Sequence, residues 1–275
     1  MARKRPNPKK DKSARRRRSQ VPGGLRRAHL NQQAVFKVMM GASPEALPLV
    51  ALAGVWLWNV AEDGAAAAHC VDGCLTLRYA LAQYGIDSRV EAVGLQLQGN
   101  GTHTRYGDVE SGPRYNADGS FNGHTVLVVP PAGRFVDPTL QQYAEVPHTE
   151  KAMLPVLCPL PTPNGLGDEP IGVDRGDHLV IYLPAPLQQR QAWQLPAHTI
   201  RAEEYRQAAQ NLAANVFAMM RLPMLREKVE GGPYPRLRTL LAALEGTEPV
   251  ADPRGFRFKD PATGREIWLA DVPDQ

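Results

Sequence analysis

Cysteine is scarce in this sequence, with three in 275 residues. That is too few for a disulfide scaffold. With no secretory-type leader readable in the first residues, it points to a reducing compartment, so a cytoplasmic location is expected. Long apolar runs are missing as well. The most apolar stretch, LPLVALAGVWLW at 47–58, falls short of the ~20 residues that cross a bilayer. Polar residues such as HLNQQ separate it from the basic N-terminal segment, so it reads as a buried helix and not as a signal segment. There is no P-loop, no H-E-x-x-H, no G-x-S-x-G and no dinucleotide fingerprint, which removes the usual sequence marks of several enzyme classes. There is no internal repeat, and no cofactor is implied.

Charge is present but unevenly placed. Residues 1–27 hold twelve of the 32 Lys and Arg residues and one of the 28 Asp and Glu residues. The whole chain is +4, so the rest is acidic by seven charges. The tail has almost nothing apolar to bury and is expected to be disordered. Its clustered cations would suit nucleic acid or an acidic surface through counterion release. No aromatic residue interleaves them, so base stacking has no support.

The remainder reads as alternating helices and strands. Residues 28–40 suggest a short amphipathic helix ending at Gly41. A second helix is expected over 43–64, with Ser43 as N-cap and Pro44 at the first helical position. Pro48 is a candidate bend. CVDGCLTLRYALAQYG at 70–85 is helical, with Cys74, Leu77, Leu81 and Tyr84 on one stripe and Gly85 as its stop. Strands are expected at 87–98 and 123–129. A PPAG turn then leads to a returning strand, RFVDPT, at 134–139. The polar, glycine-rich residues 99–122 read as a loop with a frayed hairpin. Beyond 145 the pattern loosens to a strand at 178–183 and helices at 199–222 and 235–246. A terminal hairpin at 255–270 would turn at DPATG.

AHCVDGC, at 68–74, carries the chemical interest. A thiol at a helix start meets unpaired backbone N–H groups, whose partial positive charge favours the reactive thiolate. Cys70 occupies that start, while Cys74 lies one turn in, on the apolar stripe. A thiolate also needs a base, and the base needs an orienting group. If GHTVLVV and RFVDPT pair around PPAG, His124 falls roughly opposite Asp137, within the ~5 Å of cross-strand neighbours. The three residues would form a Cys–His–Asp triad.

These residues, in this order, resemble the transglutaminase-like fold of the wider papain-like group. In that family the nucleophilic cysteine opens a helix that ends fifteen positions later at a G-I-P-A-R-like turn. Here Cys70 precedes Gly85 by fifteen positions, followed by GIDSR. Cys74 would stand only eleven away, so the resemblance selects Cys70. The family histidine, often in H-A-W-V-E-V, matches His124 in GHTVLVV. The family aspartate, in W-x-x-D-P-T, matches Asp137 in RFVDPT. The likeness covers residues 66–140. It departs at Thr125–Val126, at Asp87–Ser88 and in the long insertion before His124, which leaves the substrate pocket and the second oxyanion donor unassigned.

The resemblance implies an α+β fold: a transglutaminase-like core at 66–145, in which a nucleophile-bearing helix packs on an antiparallel sheet. A helical segment at 28–65 precedes it and a largely helical extension at 146–275 follows. It also implies an enzyme that hydrolyses or transfers an acyl group through an acyl-thioester, on a peptide, protein or small amide. The insertion at 99–122 and the proline-rich segment after 145 are expected to shape the groove. A non-catalytic binding protein on the same fold is the alternative, as is a nucleic-acid-binding protein acting through its basic arm. A zinc site of His69, Cys70 and Cys74 lacks the closer cysteine spacing such sites use. A Cys70–Cys74 disulfide would be strained. Cys158 reads as an inert core thiol and His69 as a surface or cap residue. His103, His148, His178 and His198 have no partner pattern.

Overall fold

The computed structural model describes residues 32–62, 69–99, 101–108, 111–143, 145–146, 154–176 and 178–273. The basic segment and the alanine run before His69 lie outside the described residues, so the expectation of a disordered tail does too. The fold is mixed α+β. Among the described residues, no helix is long and apolar enough to cross a membrane.

Two helices come first, α1 (Gln32–Gly41) and α2 (Leu47–Glu62). The second starts later than Ser43 because the Ser43 carbonyl accepts N–H bonds from both Ala46 and Leu47, which folds 44–46 into a turn. The Ser43 hydroxyl donates to Glu45 and not to the helix. Pro48 thereby falls at the second helical position. Its missing N–H would have no intrahelical partner there, so it need not bend the helix. Helix α3 (Cys70–Gln83) follows.

Next comes a seven-stranded antiparallel sheet. Its central strand is β1 (Arg89–Gly99). Along one edge, the first half of β1 pairs with β5 (His124–Val129), ending at Val93 opposite His124. The second half projects past β5 and offers free backbone, which β2 (Thr102–Tyr106) occupies. Part of the expected loop is therefore strand. The rest carries a two-residue hairpin, β3 (Arg114–Tyr115) with β4 (Phe121–Asn122). Strand β6 (Arg134–Asp137) pairs with β5 and is covered by β7 (Val156–Pro159). On the other edge, β1 pairs with β9 (His178–Pro184), which pairs with β8 (Ile171–Asp174). Neither β7 nor β8 is evident from the sequence pattern.

Both faces of the sheet are covered. Val90, Ala92, Leu127, Val129 and Val136 pack with the helices. Val93, Leu95, Val126, Val128, Phe135 and Tyr182 form a second core on the opposite face, with Leu140, Val146 and Leu166. Every residue of β5 is consequently buried, as expected for a strand sandwiched on both sides.

The expected helix at 199–222 is two helices. Pro196 opens α4 (Pro196–Ile200), and α5 (Ala202–Met220) follows. Between them Arg201, with ψ of 6°, turns its guanidinium to Glu204 and Asp72. Helices α6 (Pro223–Glu230) and α7 (Pro235–Ala243) complete the helical layer. The terminal hairpin is present as β11 (Gly255–Lys259) with β12 (Glu266–Ile267), and β10 (Glu248–Asp252) adds a third strand.

Helix α3 is buried between the sheet and α5. Cys74, Leu77, Leu81 and Tyr84 show at most 1% exposure, as their helical spacing requires. The Tyr84 hydroxyl donates to the Ala213 carbonyl at 2.6 Å, locking α3 to α5. Tyr84→Phe leaves that buried carbonyl short of a donor. It should lower the unfolding free energy by about 1–3 kcal/mol, read from urea denaturation.

Candidate functional site

Cys70 is the first residue of α3, and His69 is its N-cap. No side chain caps the helix; the His69 carbonyl takes the Gly73 N–H at 2.8 Å. Asp72 in the first turn complements the helix dipole. Gly73 explains the glycine of HCVDGC. A Cβ there would meet the Trp56 ring at 2.8 Å and the Thr139 methyl at 3.1 Å. Only a residue without a side chain lets α3 approach both α2 and the loop that follows β6. That approach carries Cys70 toward His124 and Asp137.

His124 heads β5, and its entry needs Gly123. The φ of 151° is unfavourable for a side-chain-bearing residue, and a Cβ would lie 2.8 Å from Pro113. Asp137 ends β6. The two meet as expected, but not as direct cross-strand neighbours. The register pairs Leu127 with Val136 and Val128 with Phe135, and its continuation sets Asp137 against Val126. His124 is two residues further along β5. Two steps preserve the face of the strand, so both side chains emerge on the same side and meet diagonally.

The pair is fully buried. His124 Nε2 lies 2.8 Å from Asp137 Oδ2, both at 0% exposure. This is an ion-pair contact in which the ring N–H is not aligned on that oxygen. Burial opposes charge on His124. The Asp137 charge and hydrogen bond, and then those of Cys70, outweigh it and push the imidazole up to about 10. Burial likewise opposes charge on Asp137. The His124 charge, the Thr139 N–H and the Tyr182 hydroxyl together hold its carboxyl below the usual range. Thr139 N donates to Oδ1 at 2.9 Å, and Tyr182 Oη donates to Oδ2 at 2.8 Å.

The other ring nitrogen, Nδ1, faces the nucleophile. Cys70 is a hydrogen-bonding neighbour of the imidazole and is 6% exposed. Tyr143 Oη stands 2.9 Å from Nδ1, and Gln142 Nε2 at 3.4 Å. Burial first, then the Cys70 and Asp137 charges, push the Tyr143 phenol well above its ordinary value, so it is neutral. Sequence reasoning missed Gln142, Tyr143 and Tyr182. The first two stand five and six residues after Asp137 and could have been sought in the loop that follows the aspartate. Tyr182 carries no local signal.

Cys74 is separate from this arrangement. Its thiol donates to the Thr125 carbonyl at 3.5 Å, and Thr125 Oγ1 is 3.7 Å from the sulfur. Burial pushes it well above the ordinary thiol range. With its sulfur turned to Thr125, Cys74 does not join His69 and Cys70. His69 pairs with Asp72 at 3.2 Å. Among the described residues, no group of three or more His, Cys, Asp or Glu gathers in a way that could hold a metal. Cys158 is only half-buried, on the end strand β7 and not in the core.

A second polar wall flanks Cys70. Tyr205 Oη donates to Asp72 at 2.5 Å. The Tyr115 hydroxyl contacts His198 Nε2 at 3.1 Å and donates to the Trp193 carbonyl at 2.9 Å. Burial first, then the Cys70 and Asp72 charges, push Tyr115 up to about 12. The insertion thus delivers Tyr115 to the site, and the C-terminal region delivers His198 and Tyr205. His198, which the sequence left without a partner, has two. A cavity of about 530 Å³, bounded by Phe36, Val55, Trp58 and Met219, includes no triad residue.

No family model, curated protein or solved structure matches this chain.

The His124–Asp137 pair has a defined pH signature. A raised imidazole contributes stability below its unfolded value of 6.5 and loses it as pH rises through about 10. A lowered carboxyl contributes above 3.8 and loses it as pH falls through its depressed value. Asp137→Asn should therefore cost about 3–5 kcal/mol near neutrality, and the deficit should shrink above pH 10. Urea unfolding of both proteins between pH 7 and about 10.5 checks this.

Proposed function

We propose that this chain is a cysteine-nucleophile enzyme, built on a transglutaminase-like core, that acts on an amide or related acyl bond through an acyl-thioester. One observation carries the reading: a solvent-free His124–Asp137 pair whose free ring nitrogen faces a cysteine at a helix start. Such a histidine is oriented on one side and left to exchange a proton on the other, as nucleophilic catalysis requires.

In this reading Asp137 holds Nε2 and sustains positive charge on the ring. Nδ1 exchanges the proton of Cys70. The Cys70 sulfur attacks the acyl carbon, and the imidazolium hands its Nδ1 proton to the departing nitrogen. Neutral His124 then takes a proton from water or an amine as it opens the thioester. Hydrolysis needs no second substrate site and is the simpler outcome. The transglutaminase-like identity of the core rests on the order of Cys70, His124 and Asp137 along the chain, and on the helix–sheet packing that brings them together.

The low exposure of Cys70 would also suit a binding protein in which these groups only pack. Iodoacetamide labelling separates the two readings. Cys70 should label rapidly at pH 6, and Cys70→Ala should remove nearly all labelling while Cys74→Ala leaves it. His124→Ala should slow it by about 10²-fold or more, the deficit of a thiol with the free value near 8.5. Slow labelling of Cys70, indifferent to His124, would sink the enzymatic reading.

A further inference from the structure

We infer that Gln142 is a catalytic residue, supplying the second N–H donor to the oxyanion that forms when Cys70 attacks an acyl carbon. The inference rests on the acyl-transfer reading and completes it. Gln142 sits in the short 3-10 turn Leu140–Gln142, directly after the Asp137–Thr139 loop. Its side-chain amide lies beside the nucleophile. At one end Oε1 accepts the His69 N–H at 3.2 Å, and His69 immediately precedes Cys70. At the other, Nε2 is 3.4 Å from His124 Nδ1, the nitrogen that faces the sulfur.

The orientation of the amide follows from its partners. A main-chain N–H can only donate, so the end it meets is the oxygen and the end beside His124 is the NH2. A ring that keeps its Nδ1 proton offers no lone pair to that NH2, and 3.4 Å is long for a hydrogen bond between nitrogens. The Tyr143 oxygen takes a hydrogen bond from Gln142, and an amide NH2 carries two hydrogens. The amide therefore brings an anchored, neutral donor to the side of Cys70. The first N–H groups of α3, that of Cys70 included, have no partner within the helix. Together they form a donor pair of the kind that stabilises a tetrahedral oxyanion.

The step balances without any further reagent. The sulfur forms a bond to the acyl carbon as the carbonyl π pair moves onto oxygen. That oxygen accepts the Cys70 and Gln142 N–H bonds. Collapse restores the carbonyl and expels the leaving group, which takes the Nδ1 proton of His124 where it needs one.

Two probes of the same sulfur isolate this role. Iodoacetamide alkylates by displacement at a saturated carbon and forms no oxyanion. p-Nitrophenyl acetate acylates through one, and its leaving group needs no proton. In Gln142→Ala and Gln142→Glu, the acylation burst should slow by about 10²–10³-fold while alkylation at pH 6 changes by less than about threefold. The Glu variant keeps the oxygen that meets His69, and its alkylation rate shows whether the site is intact. Acylation at the wild-type rate in both variants overturns the assignment. So does a parallel loss of acylation and alkylation, which would make Gln142 a support for His124. A wild-type chain that alkylates quickly yet is not acylated overturns it as well, while leaving the nucleophile in place. Slow wild-type alkylation indifferent to His124 brings down both readings together.

Discussion

A carboxylate sealed from solvent organises this molecule. Asp137 has no exposure, and a bare charge in such a place is costly. Partners from three separate stretches of chain offset that cost: His124 at the head of β5, the Thr139 N–H just downstream, and Tyr182 on β9. Each arrives only if its element is in register. The β5–β6 pairing sets His124 and Asp137 on one face, and the order β6–β5–β1–β9 brings Tyr182 over the same face. The charge thus ties together the strands that build the sheet, and the imidazole it holds is the group that can act on Cys70.

A second constraint comes from the helical layer. Cys70 belongs to a helix packed on one face of the sheet, with Cys74 touching Thr125 there. His124 belongs to the opposite face, with Val126 and Val128. They meet because His124 is the first residue of its strand and Cys70 the first residue of its helix. The contact runs around the end of β5 and not through it. Gly73 and Gly123 permit the approach, one by yielding to Trp56 and Thr139, the other by adopting a conformation and a closeness to Pro113 that a side chain would not allow. The four positions between Cys70 and Cys74 therefore separate two chemistries. One sulfur lies at a polar junction of helix, strand and loop, and the other is buried against a carbonyl.

Much of this was legible beforehand, for identifiable reasons. Helix α3 showed in the spacing of Cys74, Leu77, Leu81 and Tyr84, because one face meets the core and that spacing repeats every turn. The β5–β6 hairpin showed in its PPAG turn between apolar runs. Strands β7 and β8 did not show. They are short end strands, and their pairing is supplied by β6 and β9 over distances that no local window spans. Strand β2 was hidden for a related reason: its polar sequence pairs because β1 outruns β5, not because THTRY favours a strand. The break at Arg201 reflects contacts with Asp72 and Glu204, the first of which lies far back in the chain.

The sequence by itself determined which residues were chemically capable. It placed Cys70 at a helix start, His124 and Asp137 on successive strands of matching parity, and Cys74 on an apolar stripe. These are properties of spacing, which local periodicity preserves. Only the tertiary structure decided how those residues are held. The diagonal offset of His124 from Asp137, the reach of Tyr182, and the approach of Gln142 and Tyr143 to Nδ1 all depend on where separate elements stop. Tyr115, His198 and Tyr205 stand together beside Cys70 only because an insertion and two helices fold against one helix end. Contacts of that kind are set by the packing of distant surfaces, for which no pattern along the chain is a substitute.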